Sequence, residues 1–354
     1  MNNIKFDLDD ILISPSIISN IDSRSKINPY YKNNKLPLFT APMFDVVDEN
    51  NIDIFNDNGI HPILPRTKIK VIDNLDFFEY ARKNFVAVSL DEFDYIFNTY
   101  IPQTNEPPIK ILIDIANGHM RRLYDISKAA KEKFTNHIIL MIGNIANPYT
   151  FKKYCEINVD YVRVGIGSGS ACLTTQQTAI GYPMGSLIYE CKGIKSQYHS
   201  TCITKIVADG GMRTYSDIIK SLALGADYVM LGGILNKCLE SSAETKIYSD
   251  VIVDQYDHES YELFKTGIEF TKVFRGMSTK EIQREIKPND YIKTSEGIIR
   301  TIDVEYTVGG WTENFTDYLK SAMSYCDCED LNSFIGQRNN IIHISRNSFD
   351  RFNK

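Results

Sequence analysis

Short apolar runs recur along the chain, and stretches with apolar residues at helical spacing separate them. The runs predict strands at Leu38–Met43, His61–Arg66, Phe85–Leu90, Lys110–Ala116, Ile138–Gly143, Tyr161–Ile166, Lys205–Gly210 and Tyr228–Gly233. Some, such as Ile111-Leu112-Ile113, are near-continuous in branched apolar residues, which suits a sheet covered on both faces. The segments Arg121–Phe134, Tyr149–Ile157 and Ser216–Leu224 predict helices, the last stopping at Gly225. Eight alternations of strand and helix predict an α/β fold of the closed parallel kind, a (β/α)8 TIM barrel. The barrel core is expected over about residues 36–240, with a C-terminal segment and final helices over about 270–354. No composition break divides the chain, so residues 1–354 read as one domain.

A length of 354 residues fits such a barrel with insertions, and 43% hydrophobic residues suffice for a large core. A net charge of −6 argues against a broad basic face for nucleic acid. No apolar run approaches the roughly 20 residues of a membrane helix, and the first residues lack the apolar core of a signal peptide. Seven cysteines, an odd number with no CxxC pair, suggest neither a disulfide framework nor a zinc site. A reducing cytoplasm is expected. Cys155, Cys191, Cys202 and Cys238 read as small buried residues, and Cys326 and Cys328 as reduced thiols.

Cys172 is different. It ends the run Gly165-Ile166-Gly167-Ser168-Gly169-Ser170-Ala171-Cys172, directly after a predicted strand. Glycines there let the backbone turn tightly and approach a ligand. Other strands also end in polar or glycine-rich runs: Asp114–Gly118, Gly143-Asn144, Asp209-Gly210-Gly211 and Gly232-Gly233. In a barrel of this kind the strand C-termini converge on one face, where the active site forms.

These runs, together with Ser23-Arg24-Ser25, Thr40–Met43, Met230–Gly233 and Arg275-Gly276-Met277-Ser278, resemble the IMP dehydrogenase/GMP reductase family. The resemblance extends from Asp9-Asp10 to about Gly336. Ile115–Gly118, Gly181-Tyr182-Pro183, Glu190-Cys191 and Thr294–Gly297 are similar to the reductase branch. Regulatory CBS modules have no room here. Only 18 residues separate Met277 from Glu296, with no Arg-Tyr pair of the kind that activates water in the dehydrogenases.

The resemblance implies an NADPH-dependent reductase that converts GMP to IMP and ammonia, with GMP and IMP as small-molecule partners. It implies Cys172 as the nucleophile, with Thr174 and Glu296 as candidates for the acid that protonates the leaving amine. For the substrate it implies Asp209 on both ribose hydroxyls, with Ser170, Gly210, Gly211, Gly232 and Gly233 around the phosphate. Gly276, Met277, Ser278, Lys293 and Gly297 belong to the same substrate set. For the cofactor it implies Asp114, Ile115, Ala116, Ile166 and Gly167 on the inner half. Ser23, Arg24, Ser321, Ala322, Met323 and Ser324 take the outer half, partly from a neighbouring subunit of a homotetramer. The carbonyls of Gly167, Gly169 and Cys172 are implied ligands of a monovalent cation such as K⁺.

Thr175, Gln176, Met184, Gly185 and Lys293 depart from the family pattern, and Thr175 and Lys293 stand where guanidinium groups are usual, so a shifted guanine nucleotide stays open. Two other readings stay open as well. One is an IMP dehydrogenase without regulatory modules, which needs Arg275 or Tyr291 as the base for water. The other is a nucleotide-binding protein of this fold without catalysis.

Overall fold

The computed structural model describes residues 4–66, 75–103, 105–198, 202–248, 251–286, 291–337 and 340–352. All eight predicted strands form: β1 (Leu38–Thr40), β2 (Ile63–Leu64), β3 (Phe85–Val88), β4 (Ile109–Asp114), β5 (Ile138–Ile145), β6 (Tyr161–Val164), β7 (Lys205–Asp209) and β8 (Tyr228–Leu231). Seven parallel pairings join them in sequence from β2 to β8 and then to β1. A parallel bridge between Phe39 and His61 closes β1 onto β2, so the sheet is a (β/α)8 barrel.

Two cores result from the alternation of side chains along each strand. Phe39, Ala41, Ile63, Phe85, Leu112, Met141, Val207 and Met230 fill the barrel interior. A larger cluster, including Ile111, Ile113, Ile142, Val162, Val164 and Ala208, packs the outer strand face against the helices. The predicted helices are present at Arg121–Phe134, Pro148–Glu156 and Tyr215–Leu224, the last capped by Thr214 and ended at Gly225.

A second, smaller sheet follows the barrel and was not among the predicted elements. Four antiparallel strands, β9 (Thr245–Ile247), β10 (Val251–Val253), β11 (Phe270–Arg275) and β12 (Ile299–Asp303), lie in the order β10-β9-β11-β12. Leu239, Ile247, Phe270 and Val304 form its own small core. It is anchored to the barrel by buried polar contacts. Lys272 Nζ donates to the carbonyls of Leu239 and Ser241 at 2.7 and 2.6 Å. Arg275 pairs with Asp45, which follows β1. The helix Val308–Tyr325 then returns along the barrel, burying Trp311, Phe315, Leu319 and Met323.

Candidate active site

A cavity of about 320 Å³ opens at the C-terminal ends of the barrel strands. Its lining gathers Met43, Asp114–Ala116, Asn144, Arg163, Gly165–Gly167, Gly169–Cys172, Thr174, Asp209–Met212, Met230–Gly233, Phe274, Gly276–Ser278 and Glu296. Segments far apart in sequence therefore meet on one face, as the strand-end motifs predict.

Cys172 is partly exposed, whereas the six other cysteines are buried; all seven are free thiols. Its loop turns tightly, with the Cys172 N–H donating to the Gly169 carbonyl at 3.0 Å. Gly167 has φ +74°, and a methyl there would lie 1.8 Å from Thr175 Oγ1, so only glycine fits. Thr175, one of the departures from the family pattern, donates to the Ile180 carbonyl at 2.7 Å, with the Ile166 carbonyl 3.2 Å away, and braces this loop.

The chain reaching back from β11 and β12 completes the site. Cys172 and Gly297 form an antiparallel bridge: the Leu173 N–H donates to the Glu296 carbonyl at 2.7 Å and the Ile298 N–H to the Ala171 carbonyl at 3.2 Å. The approach is tight, because a methyl on Gly276 would lie 2.6 Å from the Ala171 carbonyl oxygen. The bridge sets three side chains in line. Cys172 Sγ lies 3.2 Å from Thr174 Oγ1, and Thr174 Oγ1 donates to Glu296 Oε2 at 2.5 Å. The second distance falls in the range of hydroxyl-to-carboxylate hydrogen bonds. The three groups form a continuous path between a sulfur and a carboxylate, able to carry a proton.

On the cavity floor stands an ion network that strand-end motifs alone did not reveal. Asp114 pairs with Arg66 and Arg163, and Arg163 pairs also with Asp209. Asn144 Nδ2 donates to Asp209 Oδ2 and to the Gly165 carbonyl, each at 2.7 Å. Burial opposes the charge on Asp114, but the Arg66 and Arg163 charges outweigh it and hold the carboxyl below its ordinary range. Arg163 was legible as the one polar position in Tyr161-Val162-Arg163-Val164, and a buried charge inside a strand is a signal in itself.

Ser170, Gly210, Gly211, Gly232 and Gly233 all line the cavity. A methyl on Gly233 would sit 3.0 Å from Ser170 Oγ, and one on Gly210 would sit 2.8 Å from Ser168 Oγ. Gly167, Gly169 and Cys172 also share the cavity wall. The Gly169 carbonyl keeps one lone pair beyond its bond to the Cys172 N–H.

Other expected residues lie elsewhere. Lys293 is exposed and outside the cavity lining, its backbone bonded to the Gln283 side chain. Ser23 and Arg24 are exposed on a 3-10 turn, where Ser23 caps the N–H of Ser25. Ser321 and Ala322 line a separate surface groove with Leu12, Tyr215 and Tyr318. Ser324 is partly exposed, and its carbonyl accepts from Ser19. Met323 differs from its neighbours in this set: its side chain is fully buried in the core. It continues the stripe Trp311, Phe315, Leu319 at four-residue spacing, which fixes it on the inward helix face. Neither candidate water base lines the cavity. Arg275 is bonded to Asp45 and Glu285, and those bonds raise its already high affinity for the proton. Tyr291 is 89% exposed and outside the cavity lining.

A (β/α)8 barrel with a cysteine on a glycine loop at its mouth, faced by a hydroxyl and a carboxylate, defines the class of this site. The IMP dehydrogenase / GMP reductase domain model matches residues 109–351, and the chain belongs to that family. The GMP reductase of an Exiguobacterium species is 28% identical over 278 residues, covering 75% of this chain and 79% of its own. GMP reductase 2 of Bos taurus is 29% identical over 265 residues, covering 69% and 72%. The GMP reductase of Bacillus subtilis is 28% identical over 258 residues, covering 69% and 74%.

Proposed function

We propose that this protein is an oxidoreductase of purine nucleotides, a GMP reductase that converts GMP, NADPH and a proton to IMP, ammonia and NADP⁺ in purine interconversion. The observation that carries the reading is the aligned Cys172, Thr174 and Glu296 at the end of a pocket with room for a nucleotide. Cys172 attacks C2 of the purine as thiolate. The amino group is a poor leaving group, and Thr174 with Glu296 delivers the proton it needs to depart as ammonia. The carbon held by Cys172 is then an electrophile. When bound, the dinucleotide supplies hydride to that carbon. Collapse expels the Cys172 thiolate and leaves IMP.

Asp209 holds the ribose, and Ser170 with the N–H groups of Gly210, Gly211, Gly232 and Gly233 holds the phosphate, as loops after β7 and β8 do in this fold. Met277 and Ser278 flank the base. Asp114, Ile115, Ala116, Ile166 and Gly167 share the cavity with Cys172, which suits the inner half of a dinucleotide. Ser23, Arg24, Ser321, Ala322 and Ser324 serve its outer half only if a neighbouring subunit brings them to the mouth, as a homotetramer would. The carbonyls of Gly167, Gly169 and Cys172 would hold K⁺ and steady the cysteine loop.

The alternative of oxidising IMP with water is disfavoured by the committed Arg275 and the outward Tyr291. A spectrophotometric assay tests the proposal. Consumption of NADPH with GMP, and release of ammonia in equal amount, is expected. NAD⁺ reduction with IMP, or tight GMP binding without turnover, would overturn it.

A further inference from the structure

Arg163 is buried, with a side chain 8% exposed, yet it is absent from the chemistry above. It sits on β6 and reaches two carboxylates on different strands. Its Nη1 donates to Asp114 Oδ1 on β4 at 2.8 Å. Its Nε and Nη2 lie 3.1 and 3.0 Å from Asp209 Oδ2 on β7. To reach β4 the side chain must cross β5. Gly143 of β5 leaves the path open, since a methyl there would fall 2.5 Å from Arg163 Cβ. With the bond from Asn144, the described hydrogen bonds to the Asp209 carboxylate all fall on Oδ2, so the Oδ1 edge is left for a ligand.

We propose that Arg163 is a positioning residue: it holds Asp209 in one orientation, with Oδ1 free for sugar hydroxyls, and locks it to Asp114 across the intervening strand. The proposal rests on the reading that Asp209 binds the nucleotide's ribose. A guanidinium suits this task because its planar fork serves two carboxylates at once. The groups facing the pair are Arg163 from β6, Asn144 from β5 and Arg66 beyond β2. Without Arg163, Asp114 keeps Arg66 and Asp209 keeps the neutral Asn144, and the cation shared between the two carboxylates is gone. Such a pair takes up a proton readily, because like charges in a buried site resist joint ionisation.

The test compares wild type with Arg163→Gln, Arg163→Lys and the double variant Arg163→Gln/Asp209→Asn. Arg163→Gln should raise the KM for GMP about 30-fold or more while kcat falls far less, a loss of the order expected when a buried charged hydrogen bond is cut. Arg163→Lys, which keeps the charge but reaches one carboxylate, should recover part of that loss. A second readout needs no ligand. A carboxylate pair that binds a proton in the folded state gains stability as pH falls. The Tm deficit of Arg163→Gln should therefore be largest near about pH 8 and shrink by about half or more near pH 5.5, and the double variant should show no such trend. A Tm deficit that stays constant with pH overturns the proposal, whatever GMP does. If the Tm trend appears but wild type does not bind GMP, the ribose reading fails while the role of Arg163 in fixing the carboxylates stands. Should Arg163→Gln fail to fold, rescue by the double variant supports the proposal and absence of rescue refutes it.

Discussion

Replacing Thr174 by valine removes one hydroxyl and nearly keeps the side chain's shape. That hydroxyl is the middle of the path from Cys172 Sγ, 3.2 Å away, to Glu296 Oε2, 2.5 Å away. Without it the carboxylate has no bonded route to the departing amine. Positioned acid–base groups contribute about 10²- to 10⁴-fold, so kcat on GMP should fall about 10³-fold, or ~4 kcal/mol at 1.36 kcal/mol per tenfold. The assay is NADPH consumption under saturating nucleotide. A control isolates the cause: the analogue with fluorine at purine C2 loses fluoride, which needs no proton. Thr174→Val should lose less than about tenfold on that analogue. A loss under about threefold on GMP, or an equal loss on both substrates, would refute the relay.

Cys172→Ala should abolish turnover and leave the calorimetric Kd for GMP within about threefold, since the thiol is needed for bond formation and not for the phosphate or ribose contacts. Surviving turnover would remove the covalent route. Lys272 gives a pH prediction. Burial pushes its ammonium from 10.5 down to about 7, so across that window the unfolded chain binds the proton more readily and stability rises with pH. The slope reaches at most about 1.4 kcal/mol per pH unit, and Lys272→Met should flatten it in urea midpoints measured from pH 7 to 10. An unchanged slope counts against a buried charge there.

The barrel was legible because its signals are local. Each strand carries its own apolar run, and Gly225 marks a helix end through backbone geometry that depends on neighbours in sequence. The relay was legible in its members, since Cys172, Thr174 and Glu296 stand in recognisable runs, but their alignment required the bridge at Gly297. The small sheet was missed because its outer strands lack a buried face: Val251 and Ile252 are exposed, as is most of Ile299–Asp303. Period-two alternation cannot announce a strand that buries so little. The outward placement of Lys293, and the distance of Ser23 and Arg24 from the cavity, were beyond sequence for another reason. They depend on how distant segments fold back, or on a second chain. Met323 was readable: its four-residue spacing from Trp311, Phe315 and Leu319 already marks an inward face.

The hydroxyl and the carboxylate proposed to supply the proton come from distant parts of the chain, Thr174 and Glu296 being 122 residues apart. All eight staves of the barrel are complete by Leu231, well before Glu296 is added. A polypeptide halted just after Ser278, on the ribosome or by a nonsense codon, would carry every other lining residue and the sulfur but lack the carboxylate proposed to supply the proton. Such fragments would also lack the core side chains of Val308–Tyr325, so the proposed site closes only when the last large helix is made.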